Sequence, residues 1–319
     1  MGGEHAMSAR AQGVRVALDA GQTGTKVRFT RPSAPPVDLT YPGVRTHEPL
    51  MPQLAAVART LHADLGEDLE TISVGVSGLT SAATDAAALL RLTADVGTRR
   101  VLLAHDSVTS FLGSLGDARG AVVAAGTGVV TLAVGRTRVA RVDGWGNIMG
   151  DAGSAHWIGR EALDAAMRAY DGRSSGTALL DVVRAHWPDI EHAYIALQSD
   201  PDRIRIVASF AEAVTALAGT DAAAAQISLR AARELSLSVA TALARVAEPD
   251  DAAEDCVVGM VGGVFRSPVI RARFEELVSE ARPGVVIRVP RGTGLDGAAA
   301  LPGLEATHPL HGQIAVASV

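Results

Sequence analysis

The sequence predicts an α/β protein of two similar lobes around a central cleft, with a helical insertion in the second lobe. Three observations predict it. An order of strand, Gly-rich hairpin, strand, strand, helix, strand, helix, strand runs over about 14–116 and begins again at about 117. Runs such as Val101-Leu102-Leu103-Ala104 are continuously apolar, as strands buried on both faces of a parallel sheet are. A helical stretch over about 154–247 interrupts only the second copy. With 319 residues, 48% of them hydrophobic, the chain can build two cores of ordinary size.

Val14, Val16 and Leu18 alternate as a strand does, and the Gly-rich segment 19–26 follows. Val27–Thr30 and Val37–Tyr41 read as further strands, and 50–65 has helical spacing. Ile72, Val74 and Val76 alternate up to Ser77-Gly78, and a helix is predicted over about 82–92. The strand 101–104 ends in His105-Asp106, with a helix beginning near Ser107. In the second copy Ala121–Ala125, 129–134 and Val139–Val142 are strands, the first two joined by Gly126-Thr127-Gly128. In the helical stretch Ile158, Ala162, Ala166 and Tyr170 recur at spacing four. Leu235, Val239, Ala242 and Val246 form a second inward stripe. Val257–Val261 ends in Gly262-Gly263; a helix over 268–281, a strand over Val285–Val289 and a helix over 293–301 complete the pattern. The lobes are therefore predicted as 14–116 and 117–303, with 1–13 a leader and 304–319 a tail.

The formal charge of −6 and the lack of a long basic run disfavour nucleic acid or an anionic membrane surface as partner. Cys256, predicted in a buried strand, is the one cysteine, so one chain can form neither a disulfide framework nor a thiolate cluster. No apolar run reaches the roughly 18 residues of a membrane span, and the N-terminus lacks the order of a signal peptide. A cytoplasmic location is the expectation. Lysine occurs once, as Lys26, inside the first Gly-rich segment.

Five segments carry polar groups in patterns that suggest chemistry. In Asp19-Ala20-Gly21-Gln22-Thr23-Gly24-Thr25-Lys26 the glycines permit tight turning. The loop N–H groups, the hydroxyls of Thr23 and Thr25, and Lys26 suit a phosphate cradle. Asp19 suits a magnesium ion held through water. A plain β-hairpin is the other reading. Gly126-Thr127-Gly128 occupies the same place in the second copy. Asp106, at the carboxyl end of an apolar strand, suits a general base and equally a helix N-cap. His105 alternates to the opposite face and reads as structural. The stretch from Asp143 to Gly159 holds five glycines in seventeen residues. Its Asn147, Asp151 and Ser154 offer directed hydrogen bonds to sugar hydroxyls, and Trp145 suits packing on the apolar face of a sugar. Gly262-Gly263 leaves room for adenosine against backbone, or marks a close helix–strand contact. Gly292 to Gly297 matches GxGxxG, but at the end of the chain and without an acidic residue about 20 positions on, so it is not read as a dinucleotide site.

Together these segments resemble the actin-like ATPase superfamily, and within it the N-acetylglucosamine kinase and BadF/BadG ATPase family, over about 14–302. Gly144-Trp145-Gly146 through Gly150-Asp151-Ala152-Gly153-Ser154-Ala155-His156-Trp157-Ile158-Gly159 is similar to the family's GWG…GDEGSxxWIG segment, with Ala152 where the family has Glu. The family often has Ser-Asn where Val129-Val130 stand. The resemblance implies an actin-like ATPase (ribonuclease H-like) fold and transfer of the ATP γ-phosphoryl group to the 6-hydroxyl of an amino sugar, N-acetylglucosamine first. ATP and Mg²⁺ are the implied cofactors and a homodimer the implied assembly, with 175–247 as a candidate interface. It implies Asp106 as base, also touching the sugar, and Asp19 at the metal. Gly21, Gln22, Thr23, Gly24, Thr25, Lys26, Gly126, Thr127, Gly128, Gly262 and Gly263 would hold ATP. Thr127, Gly144, Trp145, Gly146, Asn147, Asp151 and Ser154 would hold the sugar. The family's other branch, reductase activators sharing an iron–sulfur cluster, needs two cysteines per chain, and this chain has one.

Overall fold

A computed structural model of the protein describes residues 13–249 and 256–319; the predicted leader, apart from Gly13, lies outside the described residues. The chain divides into two compact units, one made of residues up to Gly113 together with Gly292–Val319, the other of Ser114–Arg291.

The first unit begins with β1 (Val14–Ala20), β2 (Thr25–Thr30) and β3 (Val37–Tyr41), an antiparallel meander. Then come α1 (Leu50–Leu65), β4 (Leu69–Val76), α2 (Ala86–Leu92), β5 (Arg100–His105) and α3 (Asp106–Leu115), whose last turn enters the second unit. The second unit repeats the meander with β6 (Gly120–Ala125), β7 (Val129–Val134) and β8 (Val139–Asp143). It continues through α4 (Gly146–Met149), α5 (Ala155–Tyr170), α6 (Leu179–His186), α7 (Ala193–Ser199), α8 (Arg203–Leu217) and α9 (Ala222–Val246). It closes with β9 (Val257–Val261), α10 (Pro268–Ala281) and β10 (Val286–Arg288). The chain returns to the first unit for α11 (Gly294–Ala300) and β11 (Ala315–Ser318).

The sheet orders are β11-β5-β4-β1-β2-β3 and β10-β9-β6-β7-β8. In each, a three-stranded antiparallel meander is extended by two parallel strands. That is the duplicated pattern predicted from the sequence. β1 is buried on both faces: Val16 and Leu18 join the core with α1, while Ala17 packs on Leu295 and Ala298 of α11. Gly113 of α3 and Gly297 of α11 exist for close backbone approach, because a Cβ on either would run into the carbonyl of Thr293 or Thr109. The GxGxxG match is thus a helix-packing device. In the second unit, both predicted helical stripes are buried, except that Tyr170 at the end of α5 turns out and its hydroxyl donates to Glu191.

Four expectations need correction. The helix predicted over 82–92 breaks, because Asp85 caps α2 and a separate 3₁₀ turn covers Ser81–Ala83. Residues 292–303 belong to the first unit, since the apolar face of α11 is covered by β1. The expected tail is structured: β11 pairs antiparallel with β5, from Ala315 opposite Leu103 to Ser318 opposite Arg100. Cys256 is half-buried just ahead of β9 rather than inside it, with the Arg282 guanidinium 3.5 Å from Sγ.

Candidate functional site

In the first unit the Gly-rich turn lies between β1 and β2. The Gly21 N–H donates to the Gly24 carbonyl at 3.0 Å, and the Gly21 carbonyl accepts from Val44 N–H, also at 3.0 Å. A Cβ on Gly43 would strike the Gln22 carbonyl, so the segment after β3 is pressed against the turn. This fixes the loop while leaving Gln22 and Thr23 exposed. Lys26, exposed on β2, is in register with Asp19 on β1. The expectation for the Thr25 hydroxyl is corrected: the residue is fully buried and Oγ1 has no hydrogen-bond partner, because alternation along β2 turns it inward.

Asp19 is half-buried, and among the described residues no group donates a hydrogen bond to its carboxylate. Burial pushes its pKa up; Lys26 opposes the rise and the charge of Asp106 adds to it. Its oxygens lie where a Cβ on Gly294 would stand, 2.9 Å away, so the first residue of α11 must be small for the carboxylate to sit there. A half-buried acid that accepts no hydrogen bond and feels a second acid is a place where a cation fits. Among the described residues, no group of three or more His, Cys, Asp or Glu side chains could hold a metal. A magnesium ion at Asp19 would therefore complete its shell with water and phosphate oxygens, as this ion commonly does.

Asp106 opens α3 where β5 ends. The Ser77 hydroxyl, just past the end of β4, donates to Oδ2 at 2.5 Å. Oδ1 is sealed from solvent, 2.8 Å from His105 Nδ1. Nδ1 also lies 3.1 Å from the Ser107 backbone nitrogen and 2.9 Å from Ser107 Oγ. Burial pushes the Asp106 carboxyl up, but His105 and Ser77 outweigh it and hold the group below the ordinary carboxylate range. The structural reading of His105 is thus too narrow. Strand alternation stops where the chain enters α3, and the imidazole lies beside Asp106. Ser77 was also missed. Its position at the carboxyl end of β4, next to β5 in the sheet, was the available signal.

In the second unit the β6–β7 hairpin and the long Gly-rich loop are tied together. The carbonyls of Gly126 and Thr127 accept the N–H groups of Ala155 and His156 at 2.9 and 3.1 Å, which caps the start of α5. The Asp151 carboxylate lies over Gly128, where an added Cβ would come within 2.6 Å of Oδ2. Oδ1 of Asp151 accepts the Gly146 N–H at 3.2 Å. Burial, and then the nearby charge of Asp143, push the Asp151 pKa up to about 6. Trp145 is exposed with the Arg141 guanidinium 5.0 Å from its ring centre, and Asn147 is half-buried nearby on α4. The expectation for Ser154 is corrected: it is fully buried, and its Oγ accepts the Trp157 N–H at 3.1 Å as the N-cap of α5.

Gly262 has φ +106, and a Cβ there would collide with the Ala125 carbonyl, so it serves backbone approach. Gly263 meets nothing within 4 Å and opens on a pocket of 460 Å³. Gly126 and Thr127 line one side of that pocket, Ser209, Glu212 and Thr215 of α8 another. Its volume is in the range of small-molecule sites.

Comparison with known proteins places these features among relatives. The model of the BadF/BadG/BcrA/BcrD ATPase family matches residues 41–301. An N-acetylmuramic acid/N-acetylglucosamine kinase of Clostridium acetobutylicum is 32% identical over 150 residues, covering 44% of this chain and 47% of the relative. The aligned part thus spans about half the length of that curated protein. Among solved structures, a candidate N-acetylglucosamine kinase from Chromobacterium violaceum aligns with a TM-score of 0.70 at 22% identity, over 90% of this chain and 98% of its own. A candidate N-acetylglucosamine kinase from Porphyromonas gingivalis gives 0.66 at 15% identity, over 90% and 96%. A ROK family glucokinase from Streptomyces griseus, solved with glucose and AMPPNP, gives 0.52 at 15% identity, over 91% and 99%. The fold shared with them is the actin-like ATPase fold.

Proposed function

The chain belongs to the BadF/BadG/BcrA/BcrD ATPase family, and from that premise we propose that it is an ATP-dependent kinase of an amino sugar. N-acetylglucosamine is the first choice of acceptor, at its 6-hydroxyl, with N-acetylmuramic acid and glucosamine next. The observation that carries this reading is the Asp106 carboxylate. It is held at the end of β5 by Ser77 and kept below the ordinary carboxylate range, so it is ionised near neutral pH and able to take a proton.

In this reading Asp106 accepts the proton of the attacking sugar hydroxyl as oxygen bonds to the γ-phosphorus and the bond to the ADP oxygen breaks. Asp19 would hold Mg²⁺, which neutralises charge on the phosphates. The loop N–H groups around Gln22 and Thr23, with Lys26, position phosphate oxygens in the first unit. Gly126, Thr127 and Gly128 do so in the second. The pocket beside Gly263 takes adenosine. Asp151, Asn147 and the Trp145 face orient the sugar.

The test is ADP release across a panel of amino sugars and hexoses, with Asp106→Asn as control. The expected outcome is turnover with an amino sugar, lost by at least 10²-fold in the variant, while ATP binding stays within a few-fold. Wild-type turnover in Asp106→Asn would remove the base assignment.

A further inference from the structure

We propose that Asp143 is the positioning residue of the sugar loop, holding the carboxylate of Asp151 in the place where it meets substrate. The inference rests on the sugar-kinase reading above.

Asp143 is the last residue of β8, and its carboxylate gathers three backbone donors. Oδ1 accepts the N–H of Gly144 and of Asp151, each at 2.8 Å, and Oδ2 accepts the N–H of Ala152 at 3.2 Å. One side chain thereby joins both ends of the loop that carries Trp145, Asn147 and Asp151. Gly150 passes so close that a Cβ there would stand 2.5 Å from Asp143 Oδ1. Asp143 and Asp151 both have φ +60, and they are the only non-glycine residues with positive φ among the described ones. That conformation disfavours residues with a Cβ and persists where surroundings impose it. The three bonds to Asp143 supply that imposition for the loop. They direct the Asp151 side chain back over Gly128, which has no Cβ to obstruct it. The bond between the two residues runs from the Asp151 backbone N–H to Asp143 Oδ1. Asp143 therefore places Asp151 through its main chain, while the Asp151 carboxylate itself accepts the Gly146 N–H.

The groups that face Asp151 are Asp143, the N–H groups of Gly146 and Val129, and the Gly128 backbone. The Arg141 cation of β8 lies over Trp145 instead. The like charge of Asp143 raises the affinity of Asp151 for a proton, so a neutral residue at 143 changes the pH response as well as the geometry.

The experiment compares Asp143→Ala and Asp143→Asn with the wild type. Asparagine keeps an oxygen in place of Oδ1 and tolerates positive φ, but carries no charge. At pH 8 we expect Asp143→Ala to raise the sugar KM at least tenfold with ATP KM and kcat within about twofold. Asp143→Asn should keep the sugar KM within about threefold at pH 8 and move its rise on acidification to lower pH. A wild-type sugar KM in Asp143→Ala, or an acid rise in Asp143→Asn where the wild type has it, would overturn the proposal. Backbone amide exchange of Gly144, Asp151 and Ala152 is read in parallel, and should be at least tenfold faster in Asp143→Ala. Unchanged protection overturns the positioning claim whatever the acceptor. If the wild type phosphorylates no sugar in the panel, the kinase reading fails, and the exchange data still decide the role of Asp143.

Discussion

Removing the Ser77 hydroxyl tests how the general base is tuned. In Ser77→Ala, Asp106 Oδ2 loses the donor at 2.5 Å, while Oδ1 keeps the His105 imidazole 2.8 Å away. A hydrogen bond to a charged group contributes about 1.5–3 kcal/mol. Losing that stabilisation of the charged form favours protonation of Asp106, so its carboxyl titrates at a higher pH than in the wild type. The sign follows from the folded carboxyl being depressed. Such a group supports folding and stays ionised above its ordinary value, and both properties fade as pH falls through the depressed one. The variant should lose activity at a higher pH than the wild type as the medium is acidified, and should melt at lower temperature at pH 7. Near pH 8 its kcat should change by less than about threefold. Single-turnover rates at saturating sugar, from pH 4.5 to 9, read the effect free of sugar affinity. An acid limb that stays in place or moves downward would refute the reasoning, because Ser77 would then not stabilise the ionised base.

Two further predictions separate site from scaffold. Ser154→Ala should cost about 1 kcal/mol of stability through loss of the α5 N-cap, seen as a lower melting temperature, with sugar KM unchanged; a large KM effect would return Ser154 to the sugar site. Gly263→Val places a branched side chain in the 460 Å³ pocket. It should raise the ATP KM by tenfold or more while leaving sugar binding by titration unaltered, and equal losses for both ligands would argue against adenosine there.

Much of the fold was legible because hydrophobic period and glycine position report directly on strands and turns. The alternation of Val14, Val16 and Leu18, and its counterpart from Ala121 onward, led to two sheets with matching strand order. What was hidden lay at junctions, where periodicity has no meaning. His105 was assigned a face by strand alternation, although the chain becomes helical at the next residue. Ser154 carries the same hydroxyl whether it caps a helix or meets a ligand, and burial decides between these. Thr25 was grouped with its loop, yet β2 already begins there. β11 escaped notice because four residues at a sheet edge, half of them exposed, show no pattern distinct from coil. Asp143 was part of the polar loop but unassigned, since its partners are backbone N–H groups that no sequence spacing reveals.

The division of the first unit into two stretches of chain has a bearing on synthesis. Its sheet lacks β11, and its inner face lacks α11, until residues 292–319 have left the ribosome. The second unit is continuous and can be complete by then. A nascent chain therefore exposes the apolar side of β1 and the open edge of β5 until residues 292–319 have been made. Open edges of this kind invite pairing with other chains. Chaperone demand and aggregation during expression should accordingly respond to changes within residues 292–319, although these are distant in sequence from β1 and β5.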